Sequence, residues 1–325
     1  MILSLLTYTL VLFLLLNLYF LVAERFGVVD RPNNRSSHDR VVLRGGGIIF
    51  PVGITIWFCW SGFQYPWFYT GLMIISLTSF LDDLSGVRFW IRLLVQFTTV
   101  ALLLYQLEHG TLAAWIWIIA LVVATGAINA FNFMDGINGI TAGYGLSVLA
   151  GLWLLNRIQV PFIGNDLLYA TTIALLIFAF YNFRSRARCF AGDVGSVSLA
   201  FILVFLLGKL IITTANPVCL MFFYLYGLDT FMTICTRLAR HENIFIAHRQ
   251  HLYQRLANEG RIPHVTVSSG YTLLQFTINL AVITAAYYLS LPGQILVSAL
   301  ILIVLTYIYF RLKRKYLKKL DRMID

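Results

Sequence analysis

The chain has 325 residues, of which 59% are hydrophobic and only 12% charged, and its mean hydropathy is +0.80. Soluble domains carry roughly 25% charged residues, so this composition excludes an ordinary soluble enzyme and describes a polytopic membrane protein. The formal net charge of +10 is better explained by its placement along the chain than by nucleic-acid binding, and no nucleic-acid partner is expected.

Helices are the expected element, because backbone polar groups in lipid must pair within their own segment. About 20 apolar residues cross a bilayer. Eleven segments are predicted, at about 2–23, 48–62, 66–81, 91–108, 112–131, 138–155, 166–183, 195–213, 216–232, 270–288 and 292–311. The first begins without a basic flank or a small-residue cleavage site and reads as retained rather than as a cleaved leader. Cys59, Cys189, Cys219 and Cys235 have no metal-ligand spacing. The expected fold is therefore one all-α integral-membrane domain over 1–325 with eleven transmembrane helices and its termini on opposite sides.

The positive-inside rule orients it, N-terminus outside and C-terminus cytoplasmic. Residues 24–47, 82–90, 132–137, 184–194, 233–269 and 312–325 then face the cytoplasm. With the helix-mouth Arg92 and Arg311, that side holds 22 of the 24 Lys and Arg residues, Arg157 and Lys209 being the exceptions. Twelve of the 14 acids fall on the same side, leaving Glu108 and Asp166 outside. The topology rule does not require that acidic bias. Outer connections are short, whereas the first inner loop (24–47) and a late one (233–269) are long. Chemistry is expected on the cytoplasmic face. The terminal RLKRKYLKKLDR reads as an anchor on anionic membrane lipid.

The polar constellations follow in chain order. DRPNNRSSHDRVVLRGGG (30–47) joins several arginines, Arg44 among them, to a glycine run whose amides could meet an anion. Its plainer reading is a basic inner loop. TSFLDDLSG (78–86) closes the third segment with Asp82 and Asp83, which point about 100° apart on a continuing helix and so should have two roles. NAFNFMDGINGI (129–140) places Asn129, Asn132 and Asp135 on one helical face, with Asn138 just beyond. Amides satisfying each other in helix packing are the alternative there. In AGDVGSVSLA (191–200), Asp193 is either a helix N-cap or a metal ligand on an open turn. Four acids thus gather at the inner ends of three apolar segments, and hard oxygen ligands suit Mg²⁺ or Mn²⁺.

Within 233–269, His248, Arg249 and His251 could bind phosphate or a nucleotide, or form ordinary solvated surface. Asp229, late in the ninth segment, is expected to face a pocket or to be paired. These groups together describe phosphoryl transfer at a membrane surface, with a divalent ion neutralising phosphate oxygens. A lipid would enter from the side while the loops hold a soluble donor. A transporter or flippase of a lipid-linked phosphate is the competing class. It would favour polar groups at mid-membrane and an internal repeat, and no convincing repeat is found.

The chain resembles the polyprenyl-phosphate N-acetylhexosamine-1-phosphate transferases, glycosyltransferase family 4. The resemblance rests on RSSH and LRGGG in the first loop, FLDD at 80–83, NAFNFMDGINGI at 129–140, GDVGS at 192–196 and HRQHLYQRL at 248–256. It implies a multi-pass enzyme of the bacterial inner membrane, its active site facing the cytoplasm. Undecaprenyl phosphate would attack the sugar-proximal phosphorus of a UDP-N-acetylhexosamine, giving undecaprenyl-diphospho-sugar and UMP, with Mg²⁺ (or Mn²⁺) as cofactor. By this resemblance Asp82, Asp83, Asp135 and Asp193 are catalytic, and Asp193 and Asp83 hold the metal. Ser37, His38, Arg44, Asn129, Asn132, Asn138, His248, Arg249 and His251 would bind substrate, 233–269 being the substrate-recognition loop. The base stays open among the acids, with Asp82 the first choice. A homodimer is compatible with the family.

Two departures bear on the branch. DGING replaces the family's frequent DGIDG, so Asn138 stands where an acid is associated with nucleotide-side contacts. HRQHLYQRL replaces the HHH or HxHH forms. This looks more like the O-antigen initiators that accept FucNAc or QuiNAc beside GlcNAc than like the peptidoglycan MurNAc-pentapeptide transferase, which is the alternative within the family.

Overall fold

The computed structural model describes residues 2–32, 40–108, 110–111, 113–243 and 248–324. Each of the eleven predicted segments contains a helix. In order they are α1 (Ile2–Phe26), α2 (Ile49–Trp60), α3 (Pro66–Ser85), α4 (Phe89–Glu108), α5 (Ala114–Met134), α6 (Ile140–Ile158), α7 (Asn165–Asn182), α8 (Gly192–Thr214) and α9 (Tyr224–Ala239). A short α10 (Leu252–Ala257) precedes α11 (His264–Tyr288) and α12 (Leu291–Ile324). A two-residue antiparallel pair, β1 (Val29–Asp30) with β2 (Val42–Leu43), closes the first long loop.

Among the described residues six helical runs are long and apolar enough to cross a membrane: α1, α4, α5, α8, α12, and Pro217–Ala239, which joins a 3₁₀ turn to α9. The chain is thus an all-α polytopic protein. Some remaining helices are less apolar because they spend polar side chains on each other. Between α6 and α11, the Tyr144 hydroxyl donates to Gln275 Oε1 at 3.0 Å, and Asn279 Nδ2 donates to the Ser147 carbonyl at 2.9 Å. Buried polar groups satisfied in this way hold helices together where lipid gives them no hydrophobic reason to associate.

The bundle is organised around α8. Every residue from Val194 to Leu207 is buried, as expected of a helix apolar on all sides. Its most apolar window is 78% buried, against 6% for that of α12. Around α8 pack α3, α5 and α6, and the glycine-rich turn Gly46–Ile48 lies against its first turn. A Cβ on Gly47 would fall 2.1 Å from the Cα of Gly195, so the two backbones touch. Only glycine at both positions permits that approach.

Three ends differ from the hydropathy reading. Helix α8 starts at Gly192, which brings Asp193 into its first turn. Helix α11 begins at His264 rather than near 270 because the HVTVSS segment is helical without being strongly apolar. Helix α12 continues through the basic tail to Ile324, since charged residues extend a helix as readily as apolar ones.

Candidate active site

Helix α3 ends at Ser85, and Gly86, with φ of 72°, breaks it three residues after Asp83. Asp83 points into the bundle. Its side chain is fully buried and accepts the backbone N–H groups of Asp193 at 2.9 Å and Val194 at 3.0 Å. Arg44 Nε lies 2.8 Å from the same carboxylate. Asp83 therefore caps α8 from a neighbouring helix, a role the sequence had offered to Asp193 itself. Gly192 makes room for it: at φ +71°, its position admits no Cβ, which would sit 2.5 Å from Asp83 Oδ2.

Asp82 turns the other way. It accepts from the Val87 N–H at 2.6 Å and from Arg92 Nη1 at 2.6 Å. Arg92 also lies 3.8 Å from Asp193 Oδ2, and Arg44 Nη2 lies 3.9 Å from Asp193 Oδ1. The carboxyl groups of Asp82 and Asp193 are within hydrogen-bonding reach of each other. Two arginines thus brace a cluster of three acids.

Asp82, Asp193 and Arg92 form the polar wall of a cavity of about 320 Å³, with Asn132, His248 and His251. Its other side is apolar, with Ile75, Phe89, Leu93, Val95 and Val197. Asn132 Oδ1 accepts from Ser196 Oγ at 2.7 Å, which ties α5 to the first turn of α8. Deeper in the cavity, Asn129 Nδ2 donates to Gln96 Oε1 at 2.8 Å. Burial first, then the neighbouring His251 and the positive charge of Arg237, pushes the His248 pKa down to about 4.

Other predicted residues lie elsewhere. Asp135 follows the last residue of α5 and accepts from Thr141 Oγ1. Densely surrounded, it is raised to about 6 by desolvation, and the charge of Asp83 adds to the rise. Asn138 is 6% exposed and donates its amide to the carbonyls of Arg184 at 3.1 Å and Ser185 at 3.2 Å. Neither Asp135 nor Asn138 is among the residues lining the cavity. Arg249 is exposed. Ser37 and His38 lie outside the described residues.

The structure corrects one expectation about the first loop and adds a second role for the acid pair. The amides of Gly46 and Gly47 are not free for an anion, because they donate to the carbonyls of Phe190 at 2.9 Å and Ala191 at 3.1 Å. The glycine run is a packing device, and Arg44 is what the loop delivers. The resemblance implies Asp83 and Asp193 as metal ligands; in the structure both Asp83 oxygens also accept the cap N–H groups, and Asp82 shares the cavity wall with Asp193. Arg92 and Gln96 were not singled out from sequence. Their signal is an i, i+4 pair opening the helix that follows the two acids, where the acids need a counter-charge.

Among the described residues, no three His, Cys, Asp or Glu side chains converge as a metal cage. Mg²⁺ does not require one, since it is commonly held by one or two carboxylates together with substrate phosphates and water. The two facing carboxyl groups of Asp82 and Asp193 fit that donor set.

A family model for glycosyl transferase family 4 matches residues 65–214, the stretch that contains both acids of α3, the Asn-rich turn and Asp193. A probable undecaprenyl-phosphate N-acetylglucosaminyl 1-phosphate transferase of Bacillus subtilis (strain 168) is 26% identical over 302 residues, 83% of this chain and 81% of that protein. The family match spans 150 of the 325 residues, and over that stretch the chain is similar to glycosyl transferase family 4. Another similar protein, the undecaprenyl-phosphate alpha-N-acetylglucosaminyl 1-phosphate transferase of Yersinia pestis, is 26% identical over 84% of this chain and 78% of its own. A phospho-N-acetylmuramoyl-pentapeptide-transferase of Synechococcus sp. is 31% identical over a shorter stretch, 53% of this chain and 58% of that protein. The family 4 match ends before α9, so the His-bearing loop of this chain lies beyond it.

Proposed function

We propose that this protein transfers an N-acetylhexosamine-1-phosphate from a UDP-sugar to undecaprenyl phosphate, releasing UMP. The observation that carries the proposal is the single cavity in which Asp82, Asp193, Arg92 and His251 face an apolar wall. That combination suits a phosphate head group joined to a hydrocarbon chain. The names of the long-matching relatives favour N-acetylglucosamine as the sugar. The muramoyl-pentapeptide relative matches over little more than half of the chain, so the peptidoglycan reaction is the weaker reading. Initiation of O-antigen or another surface polysaccharide is the role that fits the product.

In this mechanism the lipid phosphate enters between α3, α4, α5 and α8. Arg92 and Arg44 offset its charge beside the acids, and Asn132 offers a neutral donor. A phosphate monoester loses its second proton near pH ~6, so the lipid supplies its own nucleophilic oxygen. Asp82 is already engaged by two donors and is better placed to orient than to abstract a proton. Phosphate oxygen attacks the sugar-proximal phosphorus, the bridging P–O bond breaks, and the electron pair leaves on UMP. Asp193 and Asp82 would hold Mg²⁺, which when bound neutralises charge on the diphosphate. His248, neutral, and His251 approach from the late loop as donor-side contacts.

The proposed topology has eleven spans, the N-terminus outside, the C-terminus and cavity mouth cytoplasmic, in a bacterial inner membrane. The basic end of α12 would rest on anionic lipid. The test is to incubate purified protein in detergent with Mg²⁺, undecaprenyl phosphate and a panel of UDP-GlcNAc, UDP-FucNAc and UDP-QuiNAc. UMP and lipid-diphospho-sugar should appear together with at least one donor. Their absence with every donor, beside a working control enzyme, would sink the proposal.

A further inference from the structure

Asp229 is 1% exposed and is not among the residues lining the cavity. It nevertheless collects donors from four helices. Its Oδ1 accepts the Leu252 N–H at 2.9 Å, the Tyr309 hydroxyl at 3.2 Å and Thr233 Oγ1 at 3.3 Å. Its Oδ2 accepts the Tyr271 hydroxyl at 3.0 Å and the Tyr253 N–H at 3.4 Å. Behind them Lys313 Nζ donates to Tyr309 at 2.9 Å, giving the buried carboxylate a nearby counter-charge. A buried acid is costly unless paired and hydrogen-bonded, and here α9, α10, α11 and α12 all contribute.

The same carboxylate faces His251. His251 Nδ1 lies 3.5 Å from Asp229 Oδ1, while the ring lines the cavity. The ring also stacks on Phe133 at 6.4 Å, and the Tyr253 hydroxyl donates to the Phe133 carbonyl at 3.0 Å. Among the described residues Nδ1 makes no hydrogen bond, and its approach to Asp229 at 3.5 Å is the ion-pair-range contact on that edge of the ring, while the other edge is left for whatever occupies the cavity. Which nitrogen of a histidine carries its proton is set by the partner of the other nitrogen. A carboxylate partner requires a proton on Nδ1.

We infer that Asp229 is a positioning residue for the transfer reaction: it fixes His251 with Nδ1–H toward the carboxylate, so that the lone pair on Nε2 can accept from a hydroxyl or N–H group of the UDP-sugar. The inference rests on the proposed reading of the cavity as the transfer site. It also explains why a charged residue persists inside a helix that is otherwise apolar, and why α10 begins where it does. The cap on Leu252 and Tyr253 holds the backbone of the loop, and the contact with Nδ1 holds the ring.

Two readouts test it in the full-length protein. ¹⁵N-histidine NMR of the detergent-solubilised wild type, with His251 assigned by the loss of its signal in His251→Ala, should give His251 protonated at Nδ1. Asp229→Asn should lose that tautomer preference. A neutral His251 protonated only at Nε2 in the wild type would overturn the inference, whether or not the variant folds. In kinetics, Asp229→Asn should raise KM for the UDP-sugar about tenfold, by analogy with the loss of carboxylate partners of metal-bound histidines. KM for undecaprenyl phosphate should change little. In a His251→Ala background, the same substitution should have almost no further effect on the donor KM. An equal loss in both backgrounds would mean that Asp229 only stabilises the loop, and would overturn the inference. If no UDP-sugar is turned over at all, the functional reading fails, while the tautomer measurement still decides the role of Asp229.

Discussion

The carboxylate of Asp83 accepts the backbone N–H of Asp193 at 2.9 Å, so one acid of the cluster fixes the place of another 110 residues away. Asp82, its neighbour in sequence, faces the cavity instead. The LDD motif therefore divides into an acid that caps α8 and an acid that lines the cavity.

That division predicts two different phenotypes. Asp83→Ala removes a helix cap and leaves Arg44 beside a gap, so it should lower thermal stability by ~1–2 kcal/mol, the range for a lost cap, and abolish activity as well. Asp82→Asn keeps an acceptor for Val87 and should leave the melting temperature nearly unchanged while turnover falls. Thermal unfolding in detergent beside a UMP-release assay measures both.

Asn138 is an amide for a structural reason. Its Nδ2 donates to two carbonyls, and a carboxylate there would put oxygen against oxygen. Asn138→Asp, although it restores the more frequent family pattern, should destabilise the protein by ~1–3 kcal/mol, the scale for leaving buried polar groups unpaired. A variant as stable as the wild type and more active would refute this.

Gly47→Ala should be among the most damaging small substitutions outside the acids. The added methyl group would collide with the Gly195 backbone and push the first loop away from α8. Arg44 would be withdrawn from Asp83 with it. The expected result is loss of both folding yield and activity, measured by size-exclusion profile and UMP release.

Asp135 gives a pH signature of known sign. Its folded pKa, raised to about 6, lies above the ordinary value near ~3.9. Its contribution to stability is therefore present below that ordinary value and lost as pH rises through about 6. Asp135→Asn, which cannot ionise, should melt higher than the wild type at pH 8, and this advantage should shrink toward pH 4.5. An advantage independent of pH would mean that Asp135 is not held in a desolvating site.

Much of the fold was legible because lipid demands long apolar helices, and those runs survive in sequence from Ile2 to the end of α12. What escaped was helix without apolarity: the start of α11, the tail of α12, and α10, whose N-terminal amides are capped by Asp229 from another helix. In the site, Asp82, Asn132, Asp193 and His251 could be picked out because polar residues at the end of an apolar run are conspicuous. The partner of each could not. Arg92 looked like a topology marker, the expected two roles of Asp82 and Asp83 could not be told apart by residue, and the glycines looked like an anion loop, because close backbone contact between Gly47 and Gly195 leaves no local trace in either segment.

The most direct measurement uses UDP-N-acetylglucosamine labelled with ³²P at the sugar-proximal phosphorus, with undecaprenyl phosphate and Mg²⁺, for the wild type and Asp193→Asn. The account predicts that the wild type moves the label into the lipid-diphospho-sugar and releases unlabelled UMP, while the Asp193→Asn variant does neither. Label recovered in released UDP, with sugar alone on the lipid, would contradict it, as would wild-type turnover by the Asp193→Asn variant.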